Sequence, residues 1–383
     1  MKVAIVHDWL VTYAGAERVL AQMLQCYPQA DVLSMVDFLS DRDRGFLAGK
    51  TVATSWIQNL PGAKKHYRHY LPLMPWAIAS LDVSGYDLVI SSSHAVAKGV
   101  QVTPQQLHVC MCYTPMRYAW DMQEQYLIES NLNHGIQGVV VRFILKQIRQ
   151  WDARVSQTVQ HFMAISHFIA KRIENAYGRK SVVIYPPVDL DTFQMRPDKE
   201  DFYLTASRMV PYKKIPMMVQ AFSNMPEKKF IVIGDGPDFE KCKAMAGPNV
   251  SLLGYQSAEV LKDHLQRAKA FVFAAEEDFG IAPLEAQACG TPVIAFGKGA
   301  ALETVCGLSH SQPTGLFFHT QSAETLMQAV QDFEKLQFSP QACRQNAMRF
   351  SVQNFRQNFM NYMGQCLADF QANSLQQPSA TAA

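Results

Sequence analysis

The chain has 383 residues, 48% of them hydrophobic and 18% charged, a balance that suits two domains with real cores and excludes a disordered polymer. Its formal net charge of +2 is too small for a molecule-wide nucleic-acid surface, so no nucleic-acid partner is expected and any basic patch must be local. Eight cysteines are scattered without a C-x-x-C pair, which removes zinc ribbons and thioredoxin-like sites. The thiols read as reduced, and from the strand-like opening "KVAIVHDWL" no signal peptide is expected. No apolar run approaches the ~18 residues of a membrane span, so the expectation is a cytoplasmic protein, at most peripheral to the inner face of the plasma membrane.

From the N-terminus, apolar runs rich in Val and Ile predict strands over 2–8, 30–36, 86–93, 107–114, 159–166 and 181–188, with helical patterns between them. Continuous runs of this kind mark parallel strands buried on both faces. After the first strand, "TYAGAERVL" (12–20) puts Gly15 where a strand passes into a helix, a place where backbone amides can approach a ligand closely. It is not a dinucleotide fingerprint, because no G-x-G-x-x-G follows. "GAKKHYRHYLPLMPWAI" (62–78) interleaves Lys64, Lys65 and Arg68 with Tyr67, Tyr70 and Trp76. That mixture suits an anionic membrane or a lipid-linked diphosphate, and equally a plain solvated loop. His108, Cys110 and Cys112 alternate along one strand and share a face, either as a metal site or as ordinary buried groups. "VVVRFILKQIRQW" (139–151) is amphipathic enough to pack against protein or lipid.

"YPPVDLDTFQMRPDKED" (185–201) interrupts the pattern with prolines and charges. The pattern then restarts, with strands predicted over 201–207, 229–235, 249–255, 270–275 and 291–296. The division expected is a first domain over 1–187, a hinge over 188–200, a second domain over 201–372 that includes the terminal helices, and a disordered tail over 373–383. Two α/β domains of this kind bind ligands at the carboxyl ends of their strands. "GDGP" (234–237) reads as a tight turn only, and the helically spaced Phe350, Phe355, Phe359 and Met363 read as a packing face.

Two segments carry candidate chemistry. In "EEDFGIAPLEA" (276–286), Pro283 suits the first position of a helix that Gly290 would end. The free amides and partial positive charge of that helix start can receive an anion such as phosphate. Glu285, placed in the first turn, has a plain reading as a complement to the helix dipole. Glu277 has no such reading, because it lies upstream in the loop. "ASRMVPYKK" (206–214) sets Arg208, Lys213 and Lys214 on a strand-to-helix turn, where they can neutralise a diphosphate or simply face solvent.

The stretch "EDFGIAPLEAQACGTPVIA" (277–295) resembles the two-glutamate signature E-x-F-G-x-x-x-x-E-A of retaining glycosyltransferases of family 4. "YAGAE", "SRMVPYKK" and "IGDGP" precede it in the family's order, so the resemblance covers nearly the whole chain. "HDWL", "SSSHAVAKGV" (91–100), "YTPMRYAWD" (113–121) and "VIYPPVD" (183–189) are similar, more narrowly, to mannosyltransferase-like members that build O-antigens and exopolysaccharides. The resemblance implies the α/β GT-B fold: two Rossmann-like domains whose parallel sheets face a central cleft, with C-terminal helices packing back. It implies a nucleotide-sugar donor and no metal. Glu277 would then hold hydroxyls of the donor sugar and Glu285 the ribose diol. Arg208 and Lys213 would bind the diphosphate, helped by amides at Gly280, Ile281 and Ala282, while Gly15 would cap the donor.

In the family picture the leaving phosphate takes the acceptor's proton on the same face, so configuration is retained without a protein base. The family's usual donor-contacting histidine is replaced here by Tyr113, which can hydrogen-bond but carries no charge near neutral pH. His94 is either a substitute for it or an ordinary structural histidine. Arg117, Trp120 and Asp121 are acceptor-side candidates. The resulting expectation is transfer of mannose from GDP-mannose to a lipid-linked oligosaccharide. The alternatives are a UDP-sugar transferase, a nucleotide-sugar epimerase, or a catalytically silent binding or assembly protein of the same fold.

Overall fold

The computed structural model describes residues 1–129 and 132–376. They divide into two compact units, one made of Met1–Tyr185 and the segment from Phe355 onward, the other of Pro186–Asn354.

In the first unit the strands are β1 (Val3–His7), β2 (Asp31–Ser34), β3 (Val52–Thr54), β4 (Leu88–Ser93), β5 (Leu107–Cys112), β6 (His161–Ala164) and β7 (Val182–Val183). They form one seven-stranded sheet in the order β3-β2-β1-β4-β5-β6-β7, with every pairing parallel. All residues of β1, β4 and β5 are buried, which is why these strands read as unbroken apolar runs. The sequence gives no sign of β3, because an edge strand of three residues, none of them buried, has neither length nor pattern.

The second unit holds β8 (Tyr203–Ala206), β9 (Phe230–Ile233), β10 (Val250–Gly254), β11 (Ala270–Phe273), β12 (Val293–Phe296) and β13 (Gly315–Phe318). This six-stranded sheet runs β10-β9-β8-β11-β12-β13 and is again parallel throughout. The unpredicted β13 is short, opens on a glycine and lies at the edge. On one face, Tyr203, Phe222, Phe230 and Phe333 build the core, with Phe222 and Phe230 stacked at 4.1 Å. In both sheets the chain order reverses beside the first strand, at β1/β4 and at β8/β11. The crevice left at the carboxyl ends of such a pair is where open α/β sheets bind ligands.

Three boundaries differ from expectation. Residues 188–200 are not a free hinge: Phe193 is buried in the second unit's core, and the Arg344 guanidinium donates to the carbonyls of Leu190 (3.1 Å), Phe193 (2.5 Å) and Ala288 (3.0 Å). Prolines and charges there mark irregular backbone rather than freedom. The last helix, Val352–Gln376, belongs to the first unit rather than the second from Phe355 onward. Its Phe359 meets Tyr27 edge-on at 6.1 Å, and Arg356 Nε donates to Gln22 Oε1 at 2.8 Å. The expected single packing face is therefore divided, since Phe350 stays in the second unit against Phe279. That helix also continues to Gln376, through the start of the expected tail; the rest of the tail lies outside the described residues. Among the described residues, no helix is long and apolar enough to cross a membrane.

Candidate active site

Beyond the ends of β8 and β9 the two chains stay joined as an irregular zipper. Ser207 N–H donates to Ile233 O (3.0 Å), Met209 N–H to Asp235 O (2.8 Å) and Asp238 N–H to Met209 O (3.1 Å). Two glycines permit this approach. Gly234 has φ 133°, and a Cβ there would overlap the Ser207 carbonyl oxygen. Gly236 has φ 150°, and its Cβ would stand 2.5 Å from Met209 O. The segment first read as only a tight turn thus clamps the loop that carries Arg208.

The two-glutamate motif leaves β11 and enters the helix Ile281–Ala288, with Gly280 as its N-cap at φ 80°. Pro283 is the third helical residue rather than the first, which the helix tolerates because the first-turn amides lack intrahelical partners anyway. Glu285 therefore falls in the second turn, where the dipole explanation weakens. The helix is fixed from behind by the buried Gln287, whose Oε1 accepts from Asn346 Nδ2 (2.7 Å) and whose Nε2 donates to Thr304 O (2.9 Å).

Arg208, Ala282 and Glu285 line one cavity of about 580 Å³ with Gly234, Asp235, Gly236 and Tyr255. Ile233, Leu261, Leu265 and Phe271 supply apolar wall. A guanidinium, a close-approach glycine turn, a helix start and a buried carboxylate opposite apolar surface form a set that suits an anion joined to a flat, hydroxyl-bearing group. Gly280 and Ile281 are not among the lining residues.

Glu277 and Lys213 do not line that cavity either; their side chains form an ion pair with each other. Lys213 ends the 3-10 turn Pro211–Lys213, followed by Lys214 in the left-handed region at φ 58°. Glu277 is strapped by its backbone to Gly299, and its carbonyl accepts from Ala300 N–H at 3.0 Å. Both clusters follow β8 and β11, so the structure places all four charged candidates at one edge of one sheet, in two groups.

Two family models divide the chain between them. "Glycosyltransferase Family 4" matches residues 13–192, and "Glycosyl transferases group 1" matches residues 190–350. The chain belongs to the group 1, family 4 glycosyltransferases. Among curated relatives, the D-inositol 3-phosphate glycosyltransferase of Mycobacteroides abscessus is 26% identical over 52% of this chain and 50% of its own. A GDP-mannose-dependent α-(1-6)-phosphatidylinositol monomannoside mannosyltransferase of Mycobacterium tuberculosis is 27% identical over 43% of this chain and 50% of its own. The chain thus spans about half the length of the curated relatives it matches. In fold, HepE of Anabaena, solved with UDP and glucose, aligns over 95% of this chain and 99% of its own at a TM-score of 0.69 and 17% identity. The likeness shows the GT-B glycosyltransferase fold.

In this family member the first unit has its own polar cluster at the β1/β4 switch. Ser92 Oγ lies 2.8 Å from both His7 Nδ1 and the Tyr113 hydroxyl, which also donates to Ala16 O at 3.2 Å. Tyr113, expected to reach a donor sugar, is thus buried and tied to its own unit, and burial pushes its phenol far up. Gly15 opens the helix Gly15–Cys26, and Glu17 in the first turn accepts from Ala14 N–H at 3.0 Å. Burial raises the Glu17 carboxyl, but the His7 imidazole beside it brings it below its ordinary value.

Asp8 is the residue the sequence reading missed. It sits directly after β1, fully buried, and its carboxylate accepts from the backbone amides of His94, Ala95, Val96 and Ala97. Burial works against its charge, yet His94 and these amides hold it far below the usual carboxylate range. A carboxylate at the carboxyl end of a first buried strand was the available signal.

The acceptor-side candidates are partly brought together. Trp120 and Asp121 line a cavity of about 270 Å³ with Arg149 and Arg172, whereas Arg117 is not among its lining residues. Trp120 spends its indole N–H on the buried Asp152 (2.8 Å), and Asp121 pairs with Arg172 (2.5 Å). His108, Cys110 and Cys112 are all buried, with His108 Nε2 at 2.9 Å from Ser91 Oγ. No cluster of three metal-ligating side chains is found among the described residues.

Proposed function

We propose that the chain is a retaining hexosyltransferase that moves mannose from GDP-mannose to a lipid-linked oligosaccharide in surface-polysaccharide synthesis. The observation that carries this reading is the cavity at the carboxyl edge of β8 and β11, where Arg208, the glycine-clamped turn, Ala282 and Glu285 meet. As the sugar–phosphate bond breaks, negative charge grows on the diphosphate and positive character on the anomeric carbon. Arg208, the helix-start amides and Lys213 stabilise the first. Glu285 accepts the two ribose hydroxyls, and Glu277, oriented by Lys213, accepts hydroxyls of the sugar. The departing phosphate takes the acceptor's proton on the same face, so configuration is retained and neither a protein base nor a metal is required.

GDP-mannose is favoured because the M. tuberculosis relative is named for it, and that relative's named acceptor carries a lipid. On the first unit, exposed Lys64, Lys65, Arg68 and Trp76 support peripheral contact with an anionic membrane at its cytoplasmic face. The exposed Ile136, Val139, Val140 and Phe143 share one face of the helix Gly135–Ser156 and support the same contact.

Thermal-shift screening with GDP, UDP and ADP, followed by a donor-hydrolysis assay, tests the reading. GDP is expected to raise the melting temperature most, since a ligand that binds only the folded state stabilises it. GDP-mannose should slowly release GDP without acceptor. A larger shift with UDP would move the donor to a UDP-sugar, and an altered sugar-nucleotide would indicate epimerisation. No shift and no product would leave a silent binding protein.

A further inference from the structure

His94 follows β4 at the first unit's switch point, and its Nδ1 lies 3.0 Å from Asp8 Oδ2. The Asp8 carboxylate is already surrounded. Oδ2 accepts from His94 N–H (2.6 Å) and Ala95 N–H (2.9 Å), and Oδ1 from Val96 N–H (2.7 Å) and Ala97 N–H (2.6 Å). A carboxyl proton would have to point at one of these four amide hydrogens, so the group is an acceptor only and the imidazole must donate from Nδ1.

That fixes the ring. In the neutral form of the ring, Nδ1 carries the hydrogen toward Asp8 and Nε2 is a lone pair. Trp9 packs perpendicular to the ring at 4.6 Å, which opposes its turning. Asp8 is fully buried, but the His94 side chain is 30% exposed, and among the described residues Nε2 has no hydrogen-bond partner.

Clamping the 94–97 loop needs only the four amides. The fifth donor adds nothing to the backbone's satisfaction; what it adds is an oriented acceptor at the mouth of the crevice. Tyr113, whose hydroxyl serves Ser92 and Ala16, does not offer one.

We propose that Asp8 and His94 form a hydroxyl-binding dyad, in which Asp8 fixes the imidazole and Nε2 accepts a hydrogen bond from a substrate sugar hydroxyl. This rests on the glycosyltransferase reading above. The hydroxyl belongs to the donor sugar or to the acceptor sugar; the chemistry is the same, and the experiment separates them.

His94→Asn keeps an N–H for Asp8 but ends short of Nε2. In the full chain it should melt within about 2 °C of wild type and bind GDP equally well by calorimetry. A donor-side dyad predicts at least a tenfold loss in GDP-mannose affinity and in acceptor-free hydrolysis. An acceptor-side dyad predicts unchanged hydrolysis and at least a tenfold rise in KM for methyl α-mannopyranoside as model acceptor. His94→Gln, whose longer amide carries a polar atom outward, should recover part of either loss even if His94→Asn proves unstable. Wild-type behaviour of His94→Asn in both arms overturns the dyad, as does loss of GDP affinity in parallel with melting temperature without rescue by His94→Gln. A wild-type protein that binds neither GDP nor GDP-mannose would instead overturn the underlying glycosyltransferase reading.

Discussion

The Glu277 carboxylate lies against the Lys213 ammonium, so each cancels the other's charge at the edge of the second sheet. The two substitutions should therefore act in opposite directions on an anionic ligand. Glu277→Gln leaves the lysine with its full charge, so nucleoside-diphosphate affinity should hold or rise a few-fold. Transfer should still fall by about 100-fold or more, the scale of one lost transition-state contact, about 2.7 kcal/mol. Lys213→Met should weaken the nucleoside diphosphate about tenfold, near 1.4 kcal/mol. Calorimetry with GDP alongside a product assay measures both. Joint loss of affinity and transfer in Glu277→Gln would mean that the pair only braces the loop.

Much of this edge is legible in the sequence because its signals are local. Val- and Ile-rich runs locate the buried parallel strands, and the two-glutamate stretch locates the turn after β11. What stays hidden depends on partners distant in sequence. Gly234 looks like any turn glycine until Ser207, 27 positions away, is found against it. Asp8 is a lone acid after a strand until the 94–97 amides converge on it. The stripe Phe350, Phe355, Phe359 and Met363 reports packing faithfully, but periodicity does not say against which unit. Pro283 points to a helix start and fixes it only to within a turn, because any first-turn position accommodates it.

The Gly234 contact predicts a backbone-specific defect. Gly234→Ala meets both a φ of 133°, foreign to residues with a Cβ, and overlap with the Ser207 carbonyl. A cost of at least about 2 kcal/mol should lower the second unit's melting by about 4–8 °C and displace Arg208, weakening nucleotide binding. Gly364→Ala is the matched control, in a helix with open space around the added methyl, and should be neutral or slightly stabilising. Differential scanning calorimetry of the two variants distinguishes strain at one glycine from a general effect of added bulk.

Burial pushes the His108 imidazole down to about 4, from an ordinary value of 6.5. The unfolded chain binds a proton there below pH 6.5, while the folded chain refuses it until about pH 4. Stability should therefore fall as pH drops through that window, and this contribution should level off below it. His108→Asn removes the titration. Urea unfolding at pH 7.5, 5.5 and 4.5 should show the variant less stable at neutral pH, with the gap to wild type narrowing on acidification. A constant gap would mean that the imidazole is not held neutral.

The buried pair Lys98–Asp152 (2.6 Å) connects the first unit's core to the crevice, because Lys98 Nζ also donates to Ala95 O (2.7 Å), within the loop that Asp8 clamps. Its two members are not equivalent. Asp152 Oδ2 accepts from Trp120 Nε1 (2.8 Å) and from the Tyr177 hydroxyl (2.7 Å), so Lys98→Met leaves a carboxylate with donors still around it. Asp152→Ala instead leaves an ammonium, fully buried, with carbonyl contact and no counter-charge, and strands the Trp120 and Tyr177 donors as well. Removing one partner of such a pair costs about 3–5 kcal/mol, and the aspartate change should reach that range while the lysine change falls below it. Denaturant unfolding should rank the variants in that order. The opposite ranking would show that the lysine, through Ala95, is the member that holds the loop.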